Sequence, residues 1–304
     1  MDFLRLLEGI RTPVLDTFFS LVTMLGEETL FIVIGLVFFW CISKKQGYYI
    51  LSVGFLGTVL NQFLKLLFRV PRPWVKDPEF TIVESAREAA TGYSFPSGHT
   101  QISVGTFGAI ARWNNKKWVR ILCIALCILV PLSRMYLGVH TPWDVLVSVA
   151  LGVGLVFGFY PIFKKASEKP KYMRILFLSM LAICLLYVGF VSFYQFPADI
   201  DTENLSNGVS NGYKMLGCVI GLLISFEIDT RHTKFETKAV FWAQILKLVL
   251  GLIPILIIKS LLKEPLLALF NGHDIANLIR YFLITIFAGA VWPLTFKWFG
   301  RLGK

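Results

Sequence analysis

The chain has 304 residues, 56% hydrophobic and 16% charged, with a mean hydropathy of +0.67; this excludes an ordinary soluble domain and points to a polytopic membrane protein. Most of its net charge of +11 sits in short loops between apolar runs, so it reports membrane orientation first and attraction to anionic lipid headgroups second, not nucleic acid as a partner. The five cysteines fall in apolar stretches without CxxC spacing, so neither a disulfide framework nor a zinc site is expected.

Residues 3–25 mix apolar side chains with Arg5, Glu8, Arg11 and Asp16 and lack an uninterrupted run of about 20 apolar residues, so they read as interfacial helices. The start Met1-Asp2-Phe3-Leu4-Arg5 shows no small-residue cleavage site after an apolar core, and no removable signal peptide is expected. Apolar runs then recur at 28–43, 47–68, 100–113, 118–137, 143–163, 173–195, 212–228, 239–258 and 277–296. The expected fold class is all-α, a polytopic transmembrane helical bundle of about nine spans preceded by the interfacial helices. Three regions follow: 1–25 interfacial, 26–163 a membrane core that carries the candidate chemistry, and 164–304 a C-terminal transmembrane extension that no motif explains.

Basic loops alternate along the chain, at Lys44/Lys45, Arg112/Lys116/Lys117/Arg120, Lys164/Lys165/Lys169/Lys171/Arg174, Arg231/Lys234/Lys238 and Lys297/Arg301/Lys304. The positive-inside rule puts all of these in the cytoplasm and the acidic loop with Asp199, Asp201 and Glu203 opposite. The N-terminus and the polar interval of about thirty residues after Arg69, too short for its own core, are then extracytoplasmic, and the C-terminus is cytoplasmic. Gly154/Gly158 and Gly217/Gly221 have the four-residue spacing that lets helices approach closely. Phe226-Glu227-Ile228-Asp229 at an inner helix end suits a structural or a functional role equally.

Three polar clusters interrupt the apolar pattern. Lys65 precedes Arg72-Pro73 by two helical turns, and the prolines stop the helix before Arg72. Within a bilayer a charged side chain costs about 2.5–3.5 kcal/mol, so Lys65 and Arg134 need an interface to snorkel to, a partner or a function. Pro96-Ser97-Gly98-His99 opens an apolar run, where Ser97 serves as an N-cap or, with the free N–H groups of a helix start, as part of an anion site. Thr141-Pro142-Trp143-Asp144 reads as another helix start, so Asp144 is either a capping acid or the partner that orients His140, four residues earlier.

Lys65, six residues, Arg72-Pro73; Pro96-Ser97-Gly98-His99; and Ser133-Arg134, five residues, His140, three residues, Asp144 together resemble the signature of the type 2 phosphatidic acid phosphatase superfamily. Every specified position matches in order, within 28–163, about half of the chain. Glucose-6-phosphatases, sphingosine-phosphate phosphatases, undecaprenyl-diphosphate phosphatases and vanadium haloperoxidases share this signature. The resemblance implies that His140 is the nucleophile, Asp144 its orienting acid and His99 the acid for the leaving group, with Lys65, Arg72, Ser97, Gly98 and Arg134 binding phosphate. His232 and His273 match no family motif and read as loop residues.

The expected activity is hydrolysis of a lipid phosphomonoester or diphosphate at the extracytoplasmic face of the cell membrane, without cofactor; the stretch has no carboxylate cluster of metal-ligand spacing. The partners expected are a phosphorylated lipid substrate and membrane lipids. The alternatives are a lipid phosphotransferase using the same site and a non-catalytic lipid-binding or transport protein on the same fold.

Overall fold

A computed structural model describes residues 1–302; the Lys304 of the basic tail lies outside them. The chain is helical, with no strand among the described residues. Its helices are α1 (Asp2–Gly9), α2 (Pro13–Thr23), α3 (Glu28–Val37), α4 (Lys44–Phe68), α5 (Pro73–Lys76), α6 (Gly98–Trp113) and α7 (Lys117–Tyr136). They continue as α8 (Pro142–Ala166), α9 (Pro170–Phe193), α10 (Thr202–Ile228), α11 (Phe241–Leu261), α12 (Lys263–Leu269), α13 (Ile275–Ile286) and α14 (Phe296–Phe299).

Each apolar run expected from the sequence is helical. Seven segments are long and apolar enough to cross a membrane, and Pro13–Gly26 with Glu28–Ile42, bent by 54°, makes an eighth if the pair is one span. The number is close to the nine expected. α6 has 16 residues, short of the ~20 that cross a bilayer, and part of the segment expected to be interfacial joins the bent pair instead.

The chain divides into two compact units. The first comprises Met1–Ile32, Leu56–Tyr160 and Phe196–Gly208 and holds all three polar clusters. Its interval between α4 and α6 has no core of its own and borrows one. Phe80 and Ile82 pack with Leu4, Met135 and Val145, while Ala86 packs with Tyr136, Leu137 and Val139. The N-terminal helices tie the interval down: Arg5 pairs with Asp77 at 2.7 Å, Glu8 accepts from Thr81 N–H at 2.8 Å, and Arg11 donates to Thr81 O at 2.8 Å and Tyr136 O at 3.1 Å.

After α7 the chain reverses through Gly138, whose φ of +81° few other residues adopt without strain, and this turn delivers His140 to the start of α8. Gly26 allows a second close approach. A Cβ there would stand 2.8 Å from His99 O, so the turn after α2 reaches the start of α6 only because the side chain is missing.

The second unit comprises Val33–Phe55, Pro161–Gln195 and Val209–Lys304. Gly217 and Gly221 do permit a close helix approach: Cβ atoms there would stand 2.2 Å from Leu278 O and 2.7 Å from Thr285 Cβ. Gly154 and Gly158, of identical spacing, meet no atom within 4 Å. Glu227 pairs with Arg174 and Arg231, and Asp229 with Lys44 at 2.6 Å, so the acidic pair of this helix end joins the basic loops to each other. The ammonium of Lys247, 1% exposed, donates to Trp40 O at 2.8 Å, and Trp40 Nε1 donates to Ala288 O at 2.8 Å.

Candidate active site

The site assembles at the ends of four helices of the first unit: the C-terminal turns of α4 and α7 and the N-terminal turns of α6 and α8. Helix N-termini present free N–H groups and a partial positive charge. They stand here beside Lys65, Arg72 and Arg134, all more than nine-tenths buried. The local field is strongly positive, and Asp144 is the acidic side chain that acts electrostatically on Lys65 and Arg72.

His140 and Asp144, each 1% exposed, form its centre. His140 Nδ1 faces Asp144 Oδ2 at 3.5 Å, and His140 Nε2 lies 2.9 Å from Arg72 Nη1. A guanidinium nitrogen only donates, so Nε2 must present its lone pair and the ring proton sits on Nδ1, toward the carboxylate. Burial first, then the charges of Arg72, Arg134 and Lys65, hold the imidazole well below its ordinary range. His140 is therefore neutral, with its free lone pair on the nitrogen away from Asp144.

Asp144 caps α8 and also lies beside His140. Its Oδ2 accepts from Thr141 N–H at 2.7 Å, and Asp144 N–H donates back to Thr141 Oγ1 at 3.3 Å, a reciprocal capping box at the start of α8. The same Oδ2 accepts the Ser94 hydroxyl at 2.5 Å and faces His140. Capping thus fixes the carboxylate that faces the imidazole.

Ser94 was not legible as a site residue. It is fully buried, and its Oγ also stands 3.5 Å from His140 Nδ1. It lies two residues before the Pro96-Ser97-Gly98-His99 cluster, and a lone serine in a Gly- and Ser-bearing loop carries no signal. Thr23, which accepts from Arg134 Nη1 at 2.7 Å, was equally hidden in the N-terminal segment. Asn61 did leave a trace: it is a polar residue one turn before Lys65 in an apolar run, and its amide donates to Pro96 O at 3.4 Å.

The remaining expected residues come together, with differing freedom. Arg72 spends three further donors on Gly92 O at 3.0 Å, Thr91 O at 2.7 Å and Val139 O at 2.9 Å, which fasten the loop to the site. Lys65 Nζ donates to Tyr93 O. Ser97 caps α6, accepting Thr100 N–H at 3.4 Å, and its own N–H goes to Asp144 O at 3.1 Å. By contrast, Arg134 Nε and Nη2 and His99 Nε2 are buried with no protein hydrogen-bond partner. His99 lies within electrostatic reach of Arg134, His140, Arg72 and Lys65. A Cβ on Gly98 would meet nothing nearer than Asn61 Oδ1 at 3.8 Å, so packing does not demand glycine there and the first turn of α6 stays open. Unspent buried donors around an open helix N-terminus suit a tetrahedral oxyanion.

Beside Arg72 lies a cavity of about 800 Å³, lined among others by Arg69, Arg87, Glu88, Trp74, Tyr93, Asp199, Asp201 and Glu203. No group of three or more His, Cys, Asp or Glu side chains among the described residues is placed to hold a metal ion.

A family model described as the PAP2 superfamily matches residues 45–168, and one described as PAP2 superfamily phosphatase, transmembrane extension, matches residues 213–304. Phosphatidylglycerophosphatase B of Bacillus subtilis is 30% identical over 178 residues, 54% of this chain and 81% of that protein. An undecaprenyl-diphosphatase of Sulfolobus acidocaldarius is 28% identical over 159 residues, 52% of this chain and 75% of that protein. A dihydrosphingosine 1-phosphate phosphatase of Schizosaccharomyces pombe is 24% identical over 281 residues, which take in 85% of this chain and 64% of that protein.

Proposed function

Because the chain belongs to the PAP2 superfamily, we propose that it hydrolyses a lipid phosphomonoester or diphosphate at the extracytoplasmic face, through a phosphohistidine on His140. The observation that carries this reading is the contact of Arg72 with His140 Nε2 at 2.9 Å, which leaves the nucleophilic lone pair on the side of the cations.

In the first step His140 Nε2 attacks phosphorus, the bond to the leaving oxygen breaks, and His99, protonated once the negative charge of the bound phosphate offsets the surrounding cations, donates a proton to that oxygen. Asp144, steadied by Ser94 and Thr141, stands 3.5 Å from Nδ1 and balances the charge that grows on the ring. In the second step His99 takes a proton from water, the water oxygen bonds to phosphorus, and the P–N bond returns its electrons to Nε2. Lys65, Arg72, Arg134, the Ser97 hydroxyl and the Gly98 N–H hold the phosphoryl oxygens throughout. Arg72 turns from Nε2 to the oxygens as phosphorus arrives. Three fixed cations in a buried site supply the charge stabilisation that a metal supplies in many phosphoryl transfers, so the reaction needs none.

A lipid substrate suits a site at helix ends, where a headgroup enters while the tail stays in hydrocarbon. Phosphatidylglycerophosphate, polyprenyl diphosphates and sphingoid phosphates are the classes to test, in keeping with the names of the similar proteins. The extracytoplasmic placement rests on the positive-inside pattern, and the ion pairs of Lys44, Arg174 and Arg231 support one common end for those three loops.

The test is phosphate release by the purified protein in detergent, with excess chelator, across these substrates, beside His140→Ala. Turnover in chelator by the wild type alone is expected. Unchanged turnover by His140→Ala overturns the nucleophile, and loss of wild-type turnover in chelator overturns the metal-free reaction.

A further inference from the structure

At the far end of α6 from His99, an apolar groove of about 510 Å³ opens between α6, α7 and α8 of the first unit. Val104, Ile124, Ile128, Val153 and Phe157 line it, with Gly108 and Ala111 keeping its α6 wall low. A Cβ on Gly108 would come within 3.3 Å of Val156 Cγ2, a side chain that also lines the groove, so a larger residue there crowds it. Several of these apolar side chains are exposed, Ile124 at 54%, Ile128 at 55% and Phe157 at 57%.

Two guanidinium groups close one end, Arg112 and Arg120, and no acidic residue lines the groove. Arg120 is anchored to the turn between α6 and α7, donating to Asn114 O at 2.6 Å. Arg112 is held differently. Its guanidinium lies 4.0 Å from the Tyr160 ring centroid and 5.8 Å from that of Phe157. It makes no hydrogen bond or ion pair with the protein among the described residues, so stacking fixes its plane and its donors stay unused.

An apolar trough ending in two uncompensated guanidinium groups has the polarity of one amphiphile, a hydrocarbon chain running up to an anionic phosphate. We propose that this groove is a binding site for an anionic phospholipid, with one acyl chain along α6, α7 and α8 and its phosphate on Arg112 and Arg120. The site is separate from the catalytic cluster, since Arg112 lies 13 residues along α6 from His99, about 20 Å at helical rise. It stands whether or not the chain hydrolyses lipid phosphates. Its charge complementarity favours phosphatidylserine or phosphatidylglycerol over phosphatidylcholine, beyond the diffuse attraction of the neighbouring Lys116 and Lys117.

The experiment reconstitutes the full chain in nanodiscs of phosphatidylcholine with and without phosphatidylserine, then measures lipid retention by native mass spectrometry and the thermal midpoint. The wild type is expected to retain one phosphatidylserine in preference to phosphatidylcholine and to melt higher with it. R112Q/R120Q should lose that preference by on the order of tenfold, while K116Q/K117Q keeps it. Gly108→Leu, which fills the trough with the arginines intact, should lose retention of the chain. Equal retention of the two lipids by the wild type overturns the site, as does equal loss in R112Q/R120Q and K116Q/K117Q, which would reduce it to diffuse attraction. Retained phosphatidylserine in Gly108→Leu at its wild-type level would also overturn the assigned trough.

Discussion

At the scale of single residues, the site depends on which proton sits on which nitrogen. Arg72 can only donate, so it keeps the lone pair on His140 Nε2 and the proton on Nδ1, which faces Asp144 Oδ2 at 3.5 Å. Ser94 extends that arrangement by one hydrogen bond at 2.5 Å. Ser94→Ala is expected to lower kcat by about 10- to 100-fold with KM within about twofold, because a hydrogen bond to a buried carboxylate is lost while the proposed phosphate cradle is kept. Ser94→Thr should recover part of the rate; a Ser94→Ala enzyme with wild-type kcat would remove Ser94 from the mechanism. The pH dependence has a definite sign. Burial and three nearby cations penalise the imidazolium, so neutral His140 persists to lower pH than a free histidine of pKa about 6.5. The kcat/KM of the wild type should therefore hold as pH falls through about 6.5 and decline only below it; a decline centred at or above that pH contradicts a neutral, cation-flanked nucleophile.

At the scale of helices, identical sequence spacing met different fates. Gly217 and Gly221 lie against backbone and side-chain atoms of α13, whereas Gly154 and Gly158 face open space. Gly217→Ala should destabilise the protein by about 1–3 kcal/mol, read as a lowered thermal midpoint in detergent. Gly154→Ala should leave the midpoint unchanged or raise it slightly, since alanine favours helix and meets nothing. Equal midpoints for the two variants would contradict the close approach. The periodicity of small residues marks a helix face that permits contact, and only the partner's position determines whether contact occurs. The capping box at α8 is the opposite case. Thr141, Pro142 and Asp144 are local in sequence, so the motif announced both the helix start and the carboxylate that caps it.

At the scale of the whole molecule, orientation is the testable quantity. The positive-inside reading makes Glu88, in the interval over the site, extracytoplasmic and Lys117, at the start of α7, cytoplasmic. A cysteine placed by Glu88→Cys should react with a membrane-impermeant maleimide in intact cells, and one placed by Lys117→Cys only after permeabilisation. The reverse pattern inverts the topology and with it the proposed face of hydrolysis. The N-terminal helices matter at this scale as well. They supply Leu4, Arg5, Glu8 and Arg11 to an interval that has no core of its own.

The sequence by itself determined the helical membrane class, the order of the apolar segments and the signature residues, because each is written in local patterns of hydropathy, charge and spacing. Lys65, Arg72, His99, Arg134, His140 and Asp144 were legible for that reason, as polar groups where a membrane chain avoids them. The tertiary structure alone decided what those residues touch. It placed Ser94 and Thr23 on Asp144 and Arg134, turned Arg72 toward His140 Nε2, left Arg134 with unspent donors, and separated the working glycines from the idle ones. Those contacts join segments far apart in the chain, and a hydrogen bond between distant segments depends on how helices pack, which no local spacing records.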